Sequence, residues 1–406
     1  MKLNGLEYLI ANPSIAKSWG RLGLVCNQAS IAHDWQSSWD LMARTFGSRL
    51  RALFGPQHGF YGTVQDNMIE TDHAVHLPTG LPLFSLYSET REPTTSMLEL
   101  IDTLVVDLQI VGCRIYTWKA TIAGCMRAAK REGKKVVVLD RPNPVGGEVL
   151  EGRVLDMDAT SFVGEYPIPM RHGLTAGEAA RFFNRQIQAD LEVVKLVDWS
   201  TSTYWSDLGR PWVLTSPNLP TIDAVYVYPG TVLLEGTNVS EGRGTGLPFQ
   251  FVGAPWIKDQ NLLILRVHEL LKGTRGADGV FLRPASFQPV SQKWQGKACN
   301  GVQIHVTDFR AVRSFDLTLA LIRAMIEFGQ ENASSEAKFE WKAPPYEYDF
   351  LTLPIKLIFG SQLADQKFEA DSFSLEDAFW HSGHVKYLEQ VQDSLLYPRR
   401  SFEFRT

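Results

Sequence analysis

The chain has 406 residues, 44% of them hydrophobic and 21% charged, and its 40 basic and 45 acidic side chains leave a formal net charge of −5. That length exceeds one ordinary core and predicts two domains, while the slight acidity argues against nucleic acid as a partner. Cys26, Cys113, Cys125 and Cys299 lie far apart with no C-x-x-C spacing, so neither a zinc site nor a disulfide scaffold is suggested and a reducing compartment fits best.

The N-terminus, MKLNGLEYLIANPSIAKSW, has apolar runs too short for a signal-peptide core. No run approaches the roughly 18 apolar residues of a membrane span, and the expectation is a soluble, cytoplasmic protein without a membrane partner. Short apolar runs then alternate with helical patterns, the signature of βαβ units and a parallel sheet. Strands are predicted at RLGLVCN (21–27), RLRALFG (49–55), LPLFSLY (81–87), TLVVDLQI (103–110) and KKVVVLD (134–140), most of them apolar on both faces. Helices are predicted at 37–46, 93–101 and 117–133, the last stopped by Gly133. Another covers 174–187, where Thr175 and Glu178 have capping-box spacing, and a strand follows at 191–199.

Residues 221–236 read as a helix with a kink or break at Pro229 and Gly230, and the first domain, residues 1–240, ends near there. The second, residues 241–406, shows strands at 279–287 and 301–308 and an amphipathic helix at 314–328 with Ser314 as its cap. From Glu340 the pattern is irregular, through PPYEYDF (344–350), with a last short helix near LEDAFW. The fold class is α/β: a parallel sheet flanked by helices, with a second, smaller α/β domain.

In an open parallel sheet, ligands bind beyond the carboxyl ends of the strands. All five predicted tips are polar there: Asn27; His58; Tyr87, Ser88 and Glu89; Asp107, Gln109, Arg114 and Tyr116; and Asp140, Arg141 and Asn143. Each also has a plain structural explanation. His58 sits in a tight Pro-Gln-His-Gly turn, Asp140 can cap one, and Glu89 precedes a helix whose first turn favours acids. No G-x-G-x-x-G follows the first strand, and Walker A, H-E-x-x-H and G-x-S-x-G motifs are absent. No metal or cofactor is therefore expected. Carboxylates, arginines, amides and aromatic rings without a nucleotide cradle suit a polyhydroxylated ligand.

The series GPQHGF (55–60), QDNMIE (65–70), TGLPLFSLYSETREPT (79–94), VVDLQIVGCRIYTW (105–118), DRPNPVGG (140–147), PMRHGLTAGE (169–178), SPNLP (216–220), YPGTVLLEGTNVSEGRGTGLPF (228–249) and PPYEYDF (344–350) strongly resembles the NamZ-like exo-β-N-acetylmuramidases, glycoside hydrolases formerly catalogued as a domain of unknown function. The resemblance implies a Rossmann-like N-terminal domain bearing the active cleft. It further implies release of β-1,4-linked N-acetylmuramic acid (MurNAc) from the non-reducing end of peptidoglycan-derived MurNAc–GlcNAc oligosaccharides. The family's proposed catalytic pair maps to Glu89 and Tyr116. His58, Asp107, Arg114, Asp140, Arg171, His172, Asn238 and Arg243 match neighbouring motif positions and would form the binding shell, with Arg171 and Arg243 as partners for the lactyl carboxylate.

Gln57 stands where many relatives have Glu, Cys113 where many have Ala, and many relatives carry an export signal. Within this resemblance Glu89 is the general acid, which requires burial to raise its pKa. The second role is open between Tyr116 as nucleophile or orienting group, Asp107, and the substrate's own acetamido group. A nucleotide-dependent enzyme and a non-catalytic muropeptide-binding protein are the rival functions. A homodimer is compatible with all three.

Overall fold

The computed structural model describes residues 2–66, 68–331 and 338–405; Asn67 of the QDNMIE motif lies outside them. The larger sheet has seven strands: β1 (Leu22–Val25), β2 (Leu50–Gly55), β3 (Ala74–His76), β4 (Leu81–Ser85), β5 (Thr103–Val106), β6 (Lys135–Leu139) and β7 (Asp190–Val194). Their spatial order is β3-β4-β2-β1-β5-β6-β7, and every neighbouring pair is parallel except β3 with β4. The chain order reverses between β1 and β5, which makes that junction the topological switch point.

The five strands expected from apolar runs form as β1, β2, β4, β5 and β6 because they are covered on both faces; β1 and β5 are buried at every position. The strand expected at 191–199 leaves the sheet after Val194. Edge strand β3 has no counterpart among the expectations, since it is three residues long with two of them exposed.

Helices α1 (Gly5–Ala11), α2 (Ser38–Phe46), α3 (Thr95–Leu98), α4 (Trp118–Arg131) and α5 (Ala176–Ile187) flank this sheet. The Thr175/Glu178 capping box forms on α5, and Gly133 takes φ 60° just beyond α4. Helix α1, unpredicted, starts on a second such box made by Asn4 and Glu7. The helix expected at 93–101 shrinks to the single turn of α3.

Helix α6 (Ile222–Thr231) lies inside the expected first domain. The second contains β8 (Phe251–Ala254), α7 (Gln260–Leu270), β9 (Val280–Phe287), β10 (Cys299–Val306) and α8 (Ser314–Glu331), against which α6 packs. Its three strands form an antiparallel sheet in the order β8-β10-β9. Pro229 does not break α6; the helix passes through it and tightens to a 3₁₀ turn over Val232–Gly236. Gly230 is required where α6 crosses α8, because a Cβ there would lie 1.8 Å from the Ser314 carbonyl oxygen. Ser314 is accordingly no simple cap: its hydroxyl accepts a hydrogen bond from the Gly230 amide at 3.1 Å.

Helices α9 (Pro354–Phe359), α10 (Ala364–Glu369) and α11 (His384–Val391) follow, none of them foreseen, and LEDAFW contributes a 3₁₀ turn at Ala378–His381. The C-terminal stretch returns to the first domain, where the Tyr387 hydroxyl donates to the His172 carbonyl at 2.8 Å and Phe182 packs on Tyr387. One face of the large sheet buries Leu22, Leu24, Leu50 and Leu53 against α1 and α2. The other face shares a continuous core with the second domain, from Val25 and Phe54 to Phe315 and Leu357. This shared core presses the domains together and makes a cleft at their seam, beyond the carboxyl ends of β2, β4 and β5. Among the described residues no helix is long and apolar enough to cross a membrane.

Candidate active site

The turn after β2 places Gln57 and His58 at the seam, the loop after β5 delivers Tyr116 and Thr117 at the start of α4, and residues 216–219 close one side. Tyr228 on α6 and Glu235 in the 3₁₀ turn after it complete the lining with Arg243, Phe249, Tyr346 and Glu347 of the second domain. Beyond the switch point the Ser30 hydroxyl donates to the Asp107 carbonyl at 2.5 Å and the Asn27 amide reaches the Thr215 carbonyl at 3.4 Å, while a cavity of about 190 Å³ lined by Ala29, Ala32, Trp35, Gln109, Arg141 and Trp205 opens beside them. The CNQAS turn after β1 lacks the glycines with which a dinucleotide-binding turn approaches a pyrophosphate.

His58 adopts φ 71°, an uncommon conformation for a side chain with a Cβ. Its Nδ1 lies 2.8 Å from the Val64 carbonyl and so carries the proton, leaving Nε2 to accept from the Ser216 hydroxyl at 3.2 Å. Burial lowers its pKa to about 4, so the ring is neutral at neutral pH and serves as a hydrogen-bonding link between two cleft loops.

Tyr116 is buried, and among the described residues its hydroxyl has no well-formed hydrogen bond although Thr215 lies alongside. Burial pushes the phenol pKa upward, which keeps the hydroxyl protonated and suits it to donate a hydrogen bond. Arg243 donates to Glu235 at 2.6 Å and lies 3.2 Å from Glu241, which is itself paired with Lys293 at 2.7 Å. Its guanidinium sits 5.3 Å from the centre of the Phe249 ring. Two cations and two anions balance here, so Arg243 is held in place without an excess of local charge.

Glu347 lies on the opposite wall. It accepts from the Tyr87 hydroxyl at 2.8 Å and from the Gln57 amide at 3.3 Å, and Gln57 in turn accepts from Thr117 at 2.5 Å. Burial raises the Glu347 pKa above the ordinary carboxylate range.

Of the ten sequence-predicted residues, the structure brings His58, Tyr116 and Arg243 together in this cleft. The expected burial of Glu89 is not what the structure has: its side chain is 68% exposed on the loop after β4, 3.4 Å from His73. The Ser88 hydroxyl and its own amide hold its carboxyl below the usual range, the reverse of the shift a general acid requires. The apolar strand ends at Ser85; Ser88 is still buried, Glu89 alone of residues 88–91 is exposed, and Arg91 stacks 4.2 Å over both Tyr87 and Tyr348.

The other six side chains are committed to the scaffold rather than to the cleft. Asp107 forms a two-pronged buried pair with Arg141 at 2.6 and 2.8 Å. Arg114 donates to the carbonyls of Arg153, Ile168, Ile358 and Phe359 at 2.7 to 3.1 Å. Asp140 accepts from Gly177 and Thr175 at the start of α5 and from the Tyr397 hydroxyl. Arg171 pairs with Glu151 at 2.6 Å and reaches Tyr204 at 3.1 Å. His172 accepts from the Leu174 amide and is fully buried. Asn238 ties down Lys338 and Glu340. Polar residues at strand tips serve chain closure as readily as chemistry, and sequence does not tell the two apart.

Sequence reasoning missed Glu235, favoured packing over ligand contact for the PPYEYDF segment that carries Glu347, and placed Tyr87 at a strand tip without giving it a role. The one signal was an acid flanked by two aromatics in PPYEYDF, in a stretch without periodicity. Among the described residues no group of three or more His, Cys, Asp or Glu is arranged to hold a metal. A wider surface concavity between α5 and α11 is lined by Arg153, Phe182, Arg185 and Tyr387, but its carboxylate, Asp156, is tied to Arg153 at 2.7 Å.

The fold and cleft define a two-domain α/β protein with a seam rich in carboxylates, tyrosines and a fixed arginine, the furniture of a carbohydrate site. Residues 22–223 match the family model described as exo-beta-N-acetylmuramidase NamZ, N-terminal, and residues 226–397 match its C-terminal counterpart. The chain belongs to the NamZ family. A peptidoglycan beta-N-acetylmuramidase NamZ from Bacillus subtilis is 44% identical over 315 residues, covering 76% of this chain and 74% of that protein. Two crystal structures of DUF1343 family proteins from Bacteroides fragilis are similar throughout. One has a TM-score of 0.83 at 29% identity, covering 98% of this chain and 99% of the other; the second has a TM-score of 0.73 at 26% identity, covering 99% and 100%.

Proposed function

We propose that this protein is an exo-acting β-N-acetylmuramidase, a glycoside hydrolase that removes MurNAc from the non-reducing end of peptidoglycan fragments. The observation that carries this is the buried seam joining Tyr116 and Arg243 to Glu235 and Glu347, in a chain matched along nearly its whole length by the family's two domain models. A buried arginine with its guanidinium held by carboxylates is a fixed donor, and Arg243 is the partner assigned to the lactyl carboxylate. Tyr116, kept protonated by burial, acts as a hydrogen-bond donor to the sugar rather than as a nucleophile. Glu89, exposed beside His73 with its carboxyl held below the usual range, does not fit the general-acid role.

Incubation with the MurNAc–GlcNAc disaccharide, followed by chromatography with mass detection, tests the proposal. Free MurNAc and GlcNAc are expected, with the reversed disaccharide GlcNAc–MurNAc left intact. Unchanged MurNAc–GlcNAc would refute it.

A further inference from the structure

We infer that Glu347 is the catalytic acid, delivering the proton to the departing glycosidic oxygen; this rests on the hydrolase reading above. Among the described residues two carboxylates line the cleft, Glu235 and Glu347. Glu235 is consumed by Arg243 at 2.6 Å and by the Tyr346 hydroxyl at 2.8 Å. Glu347 instead touches only neutral donors, Tyr87 and Gln57, and among the described residues it forms no ion pair. Its two oxygens are unequal. Oε2 accepts the short bond from Tyr87, whereas Oε1 has only the 3.3 Å contact from Gln57, so Oε1 is the position that can carry a proton.

The backbone points the same way. Glu347 and Tyr348 are both non-glycine residues in the left-handed region, at φ 43° and φ 69°. Paired hydrogen bonds between Tyr346 and Asp349, at 2.9 and 3.0 Å, clamp the two residues between them. Strained backbone held in place by its surroundings collects at functional sites, and here it turns one carboxyl into the seam. The titratable and charged groups facing that carboxyl are Tyr87, Tyr346, Glu235 and Arg243. Burial and Glu235 favour its protonated form, while Arg243 and the Tyr87 bond oppose them.

In the step assigned, the Glu347 O–H bond breaks as the bond between C1 and the glycosidic oxygen breaks. The proton and the bonding electron pair both go to that oxygen, so GlcNAc leaves as a neutral alcohol and Glu347 is left as carboxylate. Water completes the reaction by adding its oxygen at C1, and the proton it gives up restores the acid.

The test measures kcat/KM of Glu347→Gln on two substrates, MurNAc–GlcNAc and the 4-nitrophenyl β-glycoside of MurNAc, whose phenolate leaves without protonation. On the disaccharide a loss of about 10²–10⁴-fold is expected, the contribution of general acid catalysis. On the aryl glycoside the loss should stay under about tenfold, and the basic limb of the pH profile should vanish. Tyr87→Phe supplies an independent readout, because losing a bond to the carboxylate raises the acid's pKa and moves the basic limb to higher pH. A Glu347→Gln enzyme within threefold of wild type on the disaccharide would overturn the assignment. So would equal losses on both substrates, an unmoved limb in Tyr87→Phe, or a disaccharide-selective loss in Glu89→Gln instead. In each of those cases wild-type activity leaves the hydrolase reading standing; a wild-type protein inert to both substrates removes that reading and the acid with it.

Discussion

Replacing Arg114 by Met separates a scaffold role from a binding role at a residue whose motif position suggested the latter. The guanidinium donates to four main-chain carbonyls from three separate segments, ending at Phe359 of α9, and is 1% exposed. Burial lowers its pKa to about 10, which still leaves it charged at neutral pH. Met fills similar volume but leaves those carbonyls buried without donors, each costing about 1–3 kcal/mol. The relief of desolvating a cation offsets part of this, and a net loss of about 3–5 kcal/mol is expected, as for breaking a buried charged contact. Unfolding entropy of about 2 cal/mol/K per residue, over a chain of this length, converts that to a melting temperature lower by about 4–6 °C. Differential scanning fluorimetry reads the shift, and kinetics on MurNAc–GlcNAc should show KM within about twofold of wild type. A KM raised tenfold or more with an unchanged melting temperature would refute the scaffold role and return Arg114 to the ligand.

Tyr116→Phe should lower kcat/KM on the disaccharide by about 10-fold or more, with stability unchanged or slightly higher, since among the described residues its buried hydroxyl has no well-formed bond to lose; undiminished activity would make Tyr116 a packing residue. His58 has its pKa lowered to about 4 by burial, against about 6.5 when unfolded. The unfolded chain therefore binds the extra proton between those values, so this contribution is complete above pH 6.5 and is lost as pH falls toward 4. Urea unfolding at pH 7, 5.5 and 4.5 should show a shallower acid loss in His58→Gln than in wild type, by up to about 3 kcal/mol; parallel curves would contradict the neutral, buried ring.

The parallel sheet was legible because its strands are apolar on both faces and can be buried nowhere else: LGLV and TLVV announce themselves. Thr175 and Glu178 were legible for a local reason, since a capping box closes within four residues. β3, α9 and α10 were not legible. They are three to six residues long, and short elements owe their form to what they pack against rather than to their own periodicity.

The candidate site divides along the same line. Sequence by itself determined the fold class, the family, and a set of polar residues beyond the strand ends, all properties carried by local pattern and motif order. Only the tertiary structure decided which of those residues meet. Asp107 and Arg141 are 34 positions apart and find each other in the interior, whereas Gln57 and Glu347 are 290 apart and meet across the seam. Glu89 shows why the distinction matters. A carboxylate's role follows from burial and neighbours, and the loop after β4 gives Glu89 water while the fold gives Glu347 a dry wall. Those surroundings are assembled by contacts between distant segments, and no window of the chain contains them.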